Sequence, residues 1–300
     1  MSLQLSVNLK GKGFNRKKEV EMAQIYDNID DNTFEQGFKR ILTSPNMQRL
    51  DCCVGYFNLR GWGLIEDQVD ALSGATVWEG DKKYTRHCRL LIGMHRPEEE
   101  YIRMLYGTHG TLPDAKMVQE CKRKIARDFK KQLTIGLPSR QDEVTLRRLS
   151  RQLREGRVVV KLYLREPLHA KLYVAYKDDY TCPRVCVMGS SNLTYAGLTK
   201  QGELNAEFAD KDDTDKFANW FEDRWEDRFC IDISEELINA IDHSWAAERE
   251  IPPYYIYLKV AYHLSEEARK GLKELTRTFH PLMQFLKDDV FDDFIGRLIV

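Results

Sequence analysis

A histidine and a lysine one residue apart, His169 and Lys171, and the run Gly189-Ser190-Ser191-Asn192 lie close enough in sequence to share one strand-loop-strand unit. On an extended chain alternate side chains share a face, so His169, Lys171 and Tyr173 point one way and Leu168, Ala170, Leu172 and Val174 the other. An imidazole beside an ammonium suits attack on phosphorus, the lysine holding a phosphate oxygen while the histidine acts as nucleophile. The apolar stretch Val185-Cys186-Val187-Met188 reads as the next strand, ending at Gly189, where a missing side chain lets the backbone approach a ligand. Ser190, Ser191 and Asn192 then supply short polar groups to bind the substrate's phosphoryl oxygens and stabilise charge in a trigonal-bipyramidal transition state. Glu207, on an expected strand over residues 204–209, is suited to hold the second nitrogen of His169, and Glu203 is the alternative for that role.

The elements that must position these groups alternate. Residues 50–57 read as a mostly apolar strand running into the turn Asn58-Leu59-Arg60-Gly61-Trp62 and a helix near 64–72; residues 86–93 read as a second strand. Two amphipathic helices follow, one with the stripe Val118, Cys121, Ile125, Phe129 and one with Leu146, Leu149, Leu153. Strands over 158–164, 168–176, 184–188 and 204–209 complete a mixed α/β domain with a sheet flanked by helices. From residue 212 the chain turns helical, aromatic and acidic, with Phe217, Trp220, Phe221, Trp225 and Phe229 offering an apolar face. A boundary near 230–234 divides a catalytic domain, 1–230, from a helical C-terminal extension, 231–300, and Ile251-Pro252-Pro253 marks a further break. Tyr56, Phe57 and Trp62 have the spacing of core aromatics and carry no binding argument by themselves.

Length, 300 residues, allows one large or two smaller domains, and no window approaches the roughly 18 apolar residues of a membrane span. The N-terminus has polar and basic residues where a secretory signal has its apolar stretch, which points to the cytoplasm. Seven scattered cysteines suit reduced thiols, and Cys182 and Cys186 have no second Cys or His pair at zinc spacing, so no metal is expected. A net charge of −1 conceals an uneven distribution. Residues 116–165 hold roughly fifteen Lys or Arg against five Asp or Glu, while from 202 onward acids outnumber bases. That basic segment is either an ordinary solvated helix surface or a footprint for a phosphate backbone.

The compound pattern of His169-x-Lys171, Gly189-Ser190-x-Asn192 and a following strand with Asn205-x-Glu207 resembles the phospholipase D superfamily. The resemblance implies His169 as nucleophile, Lys171, Ser190 and Asn192 as phosphate binders, and Glu207 as the orienting acid. It departs from the family at Tyr176, where an Asp usually stands five residues after the Lys; Asp178 and Asp179 lie in an apparent insertion reaching Pro183. One copy of the motif, where the superfamily's lipid enzymes carry two, implies a homodimer sharing one site. The segments Gly55-Tyr56-Phe57 with Gly61-Trp62, and Arg89-Leu90-Leu91-Ile92-Gly93, are similar to phospholipase-D-like modules ahead of bacterial helicases. Phe285-Leu286-Lys287-Asp288-Asp289-Val290 is similar to a stretch preceding superfamily 2 helicase motors, although the chain has no phosphate-binding Gly-x-x-x-x-Gly-Lys-Ser/Thr loop.

The expected function is therefore a metal-independent phosphodiesterase without a cofactor: a nuclease, or a nuclease module of a helicase, acting on DNA in preference to RNA. The expected partners are nucleic acid, a second copy of the chain and a helicase motor in the same polypeptide, with no membrane. A non-cleaving nucleic-acid-binding module and a lipid phosphodiesterase are the alternatives.

Overall fold

A computed structural model describes residues 24–244 apart from 96, 107–114 and 135–138, together with residues 257, 261–262, 264–265 and 267–269. In chain order the elements are β1 (Ile25–Tyr26), α1 (Phe34–Leu42), β2 (Met47–Val54), α2 (Leu59–Trp62), α3 (Glu66–Ala71), β3 (Ala75–Glu79), β4 (Lys82–Arg86), β5 (Cys88–Ile92), α4 (Glu99–Tyr106) and α5 (Ala115–Leu133). They continue with α6 (Arg140–Arg154), β6 (Val158–Tyr163), β7 (Leu172–Lys177), β8 (Arg184–Gly189), α7 (Tyr195–Thr199), β9 (Asn205–Phe208), α8 (Lys211–Trp225), β10 (Cys230–Asp232) and α9 (Ser234–Asp242). Eight strands form one mixed sheet in the order β1-β9-β8-β7-β2-β5-β6-β10. The pairs β2·β5 and β5·β6 are parallel and the other pairs antiparallel, so the expected mixed sheet flanked by helices is what the chain forms.

Both faces of this sheet are covered, which is why its middle strands read as apolar runs without polar alternation. Leu50, Cys52 and Val54 of β2 face a core that includes Phe34 and Phe38 of α1, Ile125 and Phe129 of α5 and Leu146 and Leu149 of α6. Cys53, Val174 and Leu91 face the other way, against Phe221 and Trp225 of α8. The expected stripes on α5 and α6 are buried, apart from Val118, which is partly buried at the start of the α5 stripe. A capping box starts α6: the Ser139 hydroxyl accepts from the Asp142 N–H while the Asp142 carboxylate accepts from the Ser139 N–H.

Three expectations change. The strand expected over 168–176 begins at Leu172, and His169 and Lys171 lie in its lead-in, although the face alternation holds: Leu168, Ala170, Leu172 and Val174 join the α8-side core and Tyr173 the other. The strand expected over 86–93 is β5, and Arg86 ends a separate hairpin, β3·β4, outside the main sheet. The domain boundary drawn at Cys230 differs from the observed division, since β10 pairs with β6 and α9 buries Leu237 and Ile241 in the main core. The first compact unit runs to Ala247, and residues 248–300 form a second, helical at the positions described.

A buried ion cluster ties the parallel strands to α8. Asp51 is fully buried; Arg89 donates to it at 2.9 and 2.6 Å and Arg49 at 3.0 Å. Arg89 also donates to Glu222 of α8 and lies 5.0 Å from the ring centres of Phe221 and Trp225. Burial opposes ionisation of Asp51, but Arg89 and Arg49 outweigh it and hold the carboxyl below the ordinary carboxylate range. Asp51→Asn leaves Arg49 and Arg89 with only the part-exposed Glu222 carboxylate as counter-charge, so urea unfolding at neutral pH should show a loss of about 3–5 kcal/mol. A loss below about 1 kcal/mol would mean the cluster adds nothing to packing. The contribution of a depressed carboxyl is complete above its unfolded-state pKa of about 3.9 and is lost as pH falls through the folded-state value. Acidification should therefore destabilise the wild type more than Asp51→Asn.

Candidate active site

β2 and β5 run parallel and end at Val54 and Ile92, and β7 begins where they end because it is antiparallel to β2 in the register Cys53↔Leu172. Ligands of open α/β sheets bind outside such carboxyl ends. The lead-in to β7 crosses there: Leu168 donates to the Gly93 carbonyl at 2.9 Å, and a Cβ on Gly93 would meet that of Leu168 at 2.6 Å. Gly55 leaves similar room for Asn192 and His169, each 3.2 Å from where its Cβ would stand.

His169 is exposed and Lys171 is buried at 6% exposure. The lysine Nζ lies 2.6 Å from Nδ1 and 2.9 Å from Nε2 of His169 and donates to the His169 carbonyl at 2.9 Å. Desolvation draws the Lys171 ammonium below its ordinary value, opposed by the Glu203 carboxylate. Asn192 Oδ1 accepts the Tyr56 N–H at 2.9 Å, which ties the loop after β8 to the loop after β2, and its amide nitrogen has no partner among the described residues. Ser190, exposed, donates its hydroxyl to Glu203 and accepts the Leu204 N–H at 2.9 Å. His169, Lys171, Ser190, Asn192 and Glu203 thus gather at one end of the sheet, an imidazole and a cation near a hydroxyl, an amide and a carboxylate.

Glu207 and Ser191 stand apart from that set. Glu207 accepts from Arg40 at 2.6 Å and from the Tyr26 hydroxyl, and Lys171 is the hydrogen-bond partner of the His169 ring among the described residues. The cause is register. Gly189, whose N–H reaches the Lys171 carbonyl at 3.2 Å, pairs with Asn205, so Asn205 is level with the lysine and Glu207 is two residues farther along β9. Glu203, the alternative acid, is the one beside Ser190 and close enough to act on Lys171. Ser191 is fully buried: its hydroxyl donates to the Gly197 carbonyl at 2.7 Å, and its carbonyl accepts the Tyr173 hydroxyl at 2.8 Å. It shapes the loop and does not face a ligand. Gly189 likewise serves the sheet, since a Cβ there would stand 2.2 Å from the Leu204 carbonyl oxygen.

Sequence reasoning placed Asn205 in the motif but gave it no role; it is fully buried and accepts the Ser191 N–H at 3.2 Å while donating to the Ser191 hydroxyl at 2.8 Å. Sequence reasoning also missed the site role of Gly55 and Tyr56, whose ring lies edge-on to the His169 imidazole at 6.3 Å. Exposed Tyr56 directly before a buried Phe57 was the available signal. At Tyr176, in place of the family's usual Asp, the ring lies under the Arg49 guanidinium at 4.0 Å, and Asp179 closes the hairpin turn by accepting the Thr181 and Cys182 N–H groups.

Residues 97–225, the segment that holds His169, Lys171, Ser190, Asn192 and Glu203, match a family model described as "Cardiolipin synthase, PLD-like domain". β2 and β5 lie outside the match. No curated protein matches the sequence. Among solved structures the chain is similar to Nuc, a phospholipase D family member from Salmonella typhimurium, at 12% identity over 70% of this chain and 96% of that one, with a TM-score of 0.37. It is also similar to phosphatidylserine synthase of Haemophilus influenzae Rd KW20, at 12% identity over 70% of this chain and 39% of that one, with a TM-score of 0.38.

The two glutamates are separable in the laboratory. With bis(4-nitrophenyl) phosphate as a minimal diester, Glu203→Gln should lower turnover at least about tenfold, within the range of a lost catalytic contact. Glu207→Gln should keep turnover and lower the unfolding free energy by about 1–3 kcal/mol through its lost charged hydrogen bonds. The opposite assignment of effects would return the orienting role to Glu207.

Proposed function

We propose that this protein is a metal-independent phosphodiesterase that cleaves nucleic acid, DNA in preference to RNA, through a phosphohistidine on His169. The observation that carries the reaction type is the exposed imidazole in contact with a buried lysine, beside a hydroxyl and an amide. His169 attacks phosphorus, a bond forms from its ring nitrogen, and the bond to the leaving oxygen breaks as that oxygen takes a proton from a second imidazole. Water, deprotonated by the same second imidazole, then displaces the histidine. Lys171 supplies positive charge to the phosphoryl oxygens, which metal ions supply in other nucleases.

Among the described residues one imidazole stands at this site, and the second belongs, on this reading, to another copy of the chain. Met188 and Leu204 are exposed by 45% and 62%, and both flank the Gly189-Ser190 turn beside half-buried Leu168 and Ala170. An exposed apolar patch next to a half-complete site suits a self-complementary interface.

The substrate class is argued from where the basic charge remains unpaired. On α6 it is consumed internally: Arg148 pairs with Asp67 and Asp70, Arg154 with Asp242, and Arg147 with Glu143. On α5, Arg123, Lys124, Arg127 and Lys130 line a cleft of about 1030 Å³ beside α9, in which Arg123 and Arg127 have no ion-pair partner among the described residues. Such a cleft favours a polyanion over a single headgroup. The helicase association rests on the sequence resemblance alone, and residues 285–290 lie outside the described residues.

A lipid phosphodiester is the second reading, favoured by the description of the matched family and by the same apolar patch. Radiolabelled oligonucleotide incubated in EDTA and quenched in denaturant should yield a labelled protein adduct in the wild type and none in His169→Ala. Turnover should rise with more than the first power of protein concentration near the dimer dissociation constant. Cleavage that needs added Mg²⁺, or full activity in a strict monomer, would overturn the mechanism; headgroup release from vesicles without any DNA adduct would favour the lipid reading.

A further inference from the structure

Beside the His169 imidazole lies a cavity of about 430 Å³, in the size range of small-ligand sites. Tyr56, Phe57 and Arg60 after β2, Phe129 and Gln132 near the end of α5, and Tyr195 at the start of α7 contribute to its walls. Phe57 and Phe129 are buried and stack at 6.3 Å with 18° between their planes. Tyr56 and Tyr195 are different: 47% and 40% of their surfaces remain in solvent. Neither ring is needed by the core; the Lys200 ammonium stands 5.5 Å over one face of Tyr195, and a ring's other face can still take a ligand.

Tyr56 also fixes what an occupant is attached to. Its N–H is held by Asn192 and its ring meets His169 edge-on, so a single aromatic ring separates the cavity from the nucleophile. A group in the cavity can therefore belong to the same molecule as the phosphodiester under attack. Among the lining residues Arg60 and Asp142 stand 3.4 Å apart, a half-exposed arginine against the carboxylate that also caps α6, and give the cavity a charged edge. An acyl chain would call for a longer, wholly apolar channel, whereas aromatic walls with a charged edge suit a planar heterocycle that has hydrogen-bonding groups at its rim.

We propose that this cavity is a nucleobase subsite: the base of a nucleotide joined to the scissile phosphate stacks on Tyr56 and Tyr195, with its polar edge toward Arg60 and Asp142. The inference rests on the nuclease reading and adds to it a strand preference. A base within a duplex cannot leave its stack without an energetic cost, so the subsite selects single-stranded or locally opened nucleic acid. Stacking needs only the flat face that every base has, so little sequence preference follows.

The test uses the full chain carrying His169→Ala, to prevent turnover, and fluorescently labelled single strands of equal length that either bear bases or are abasic throughout. The base-bearing strand should bind at least about tenfold more tightly, and Tyr56→Ala or Tyr195→Ala should each remove about tenfold of its affinity while leaving the abasic strand unaffected. Tyr195→Phe, which keeps the ring, should restore the affinity. Equal losses on both strands, or none on either, would overturn the subsite. His169-dependent cleavage with KM unchanged in both tyrosine variants would sink the subsite and leave the nuclease reading intact. Absence of oligonucleotide binding together with headgroup release from phosphatidylglycerol vesicles would sink both.

Discussion

The register of β7 on β2 is the constraint from which the site follows. Pairing Cys53 with Leu172 and Cys52 with Tyr173 sets Lys171 at the level where β2 ends, so that His169 crosses above Gly55. A slip of one residue would turn Lys171 to the opposite face, among Leu168, Ala170 and Leu172, and place a charge in an apolar layer. The register is fixed from both faces. Tyr173 sits between Phe34 and Phe38, with ring centres 5.2 and 4.9 Å away, and its hydroxyl can donate to the Ser191 carbonyl only from that depth. On the other face Val174 lies opposite Asp51, which two arginines anchor. One strand alignment thus places the lysine, the histidine and, through Tyr173, the loop that carries Ser190 and Asn192.

Polar groups around this loop divide into those that are satisfied and those that are available. Asn205 and Ser191, both fully buried, use their side chains on each other and on nearby backbone. A satisfied buried network of this kind is rigid, because breaking any member leaves a desolvated group without a partner. The loop then carries its outer groups without needing them for its own shape. Asn192 retains an amide nitrogen without a partner among the described residues, where the His169 ring hydrogen-bonds only with Lys171. Preorganisation of the outer groups comes from the inner ones, which is why a serine that looked like a ligand contact is structural.

The geometry of the candidate site was legible in the sequence where it depends on local spacing. Histidine and lysine at an interval of two share a face on any extended chain, and the strand-ending glycine before Ser190 can be found by inspection. The acid was not fixed this way. Glu203 and Glu207 lie at similar separations from Asn192, and only the pairing of Gly189 with Asn205 decides which reaches the loop. Strand pairing across a sheet is tertiary information, and so is the addition of β10 to β6, which extends the unit past the boundary that composition suggested at Cys230. Short strands such as β1 and β10 have too few residues for a period to emerge. The parallel strands were found readily, because burial on both faces leaves an unbroken apolar run.

Charge gives the same lesson in another form. The fifteen or so basic residues of segment 116–165 are equivalent in sequence, but tertiary acids neutralise much of α6, whereas Arg123 and Arg127 of α5 have no ion-pair partner among the described residues. Arg123 and Gln132 are nine residues apart on one helix, a separation of about 14 Å at the usual rise. That exceeds the Debye length of about 8 Å at physiological salt, so the Arg123 charge is mostly screened from a phosphate bound at the candidate site. Its influence on the reaction must come by direct contact with a substrate long enough to touch the cleft and the site together. A small diester would then depend only on Lys171 and its neighbours, while a polymer would depend on both, and added salt would weaken the polymer's binding far more than the small diester's turnover.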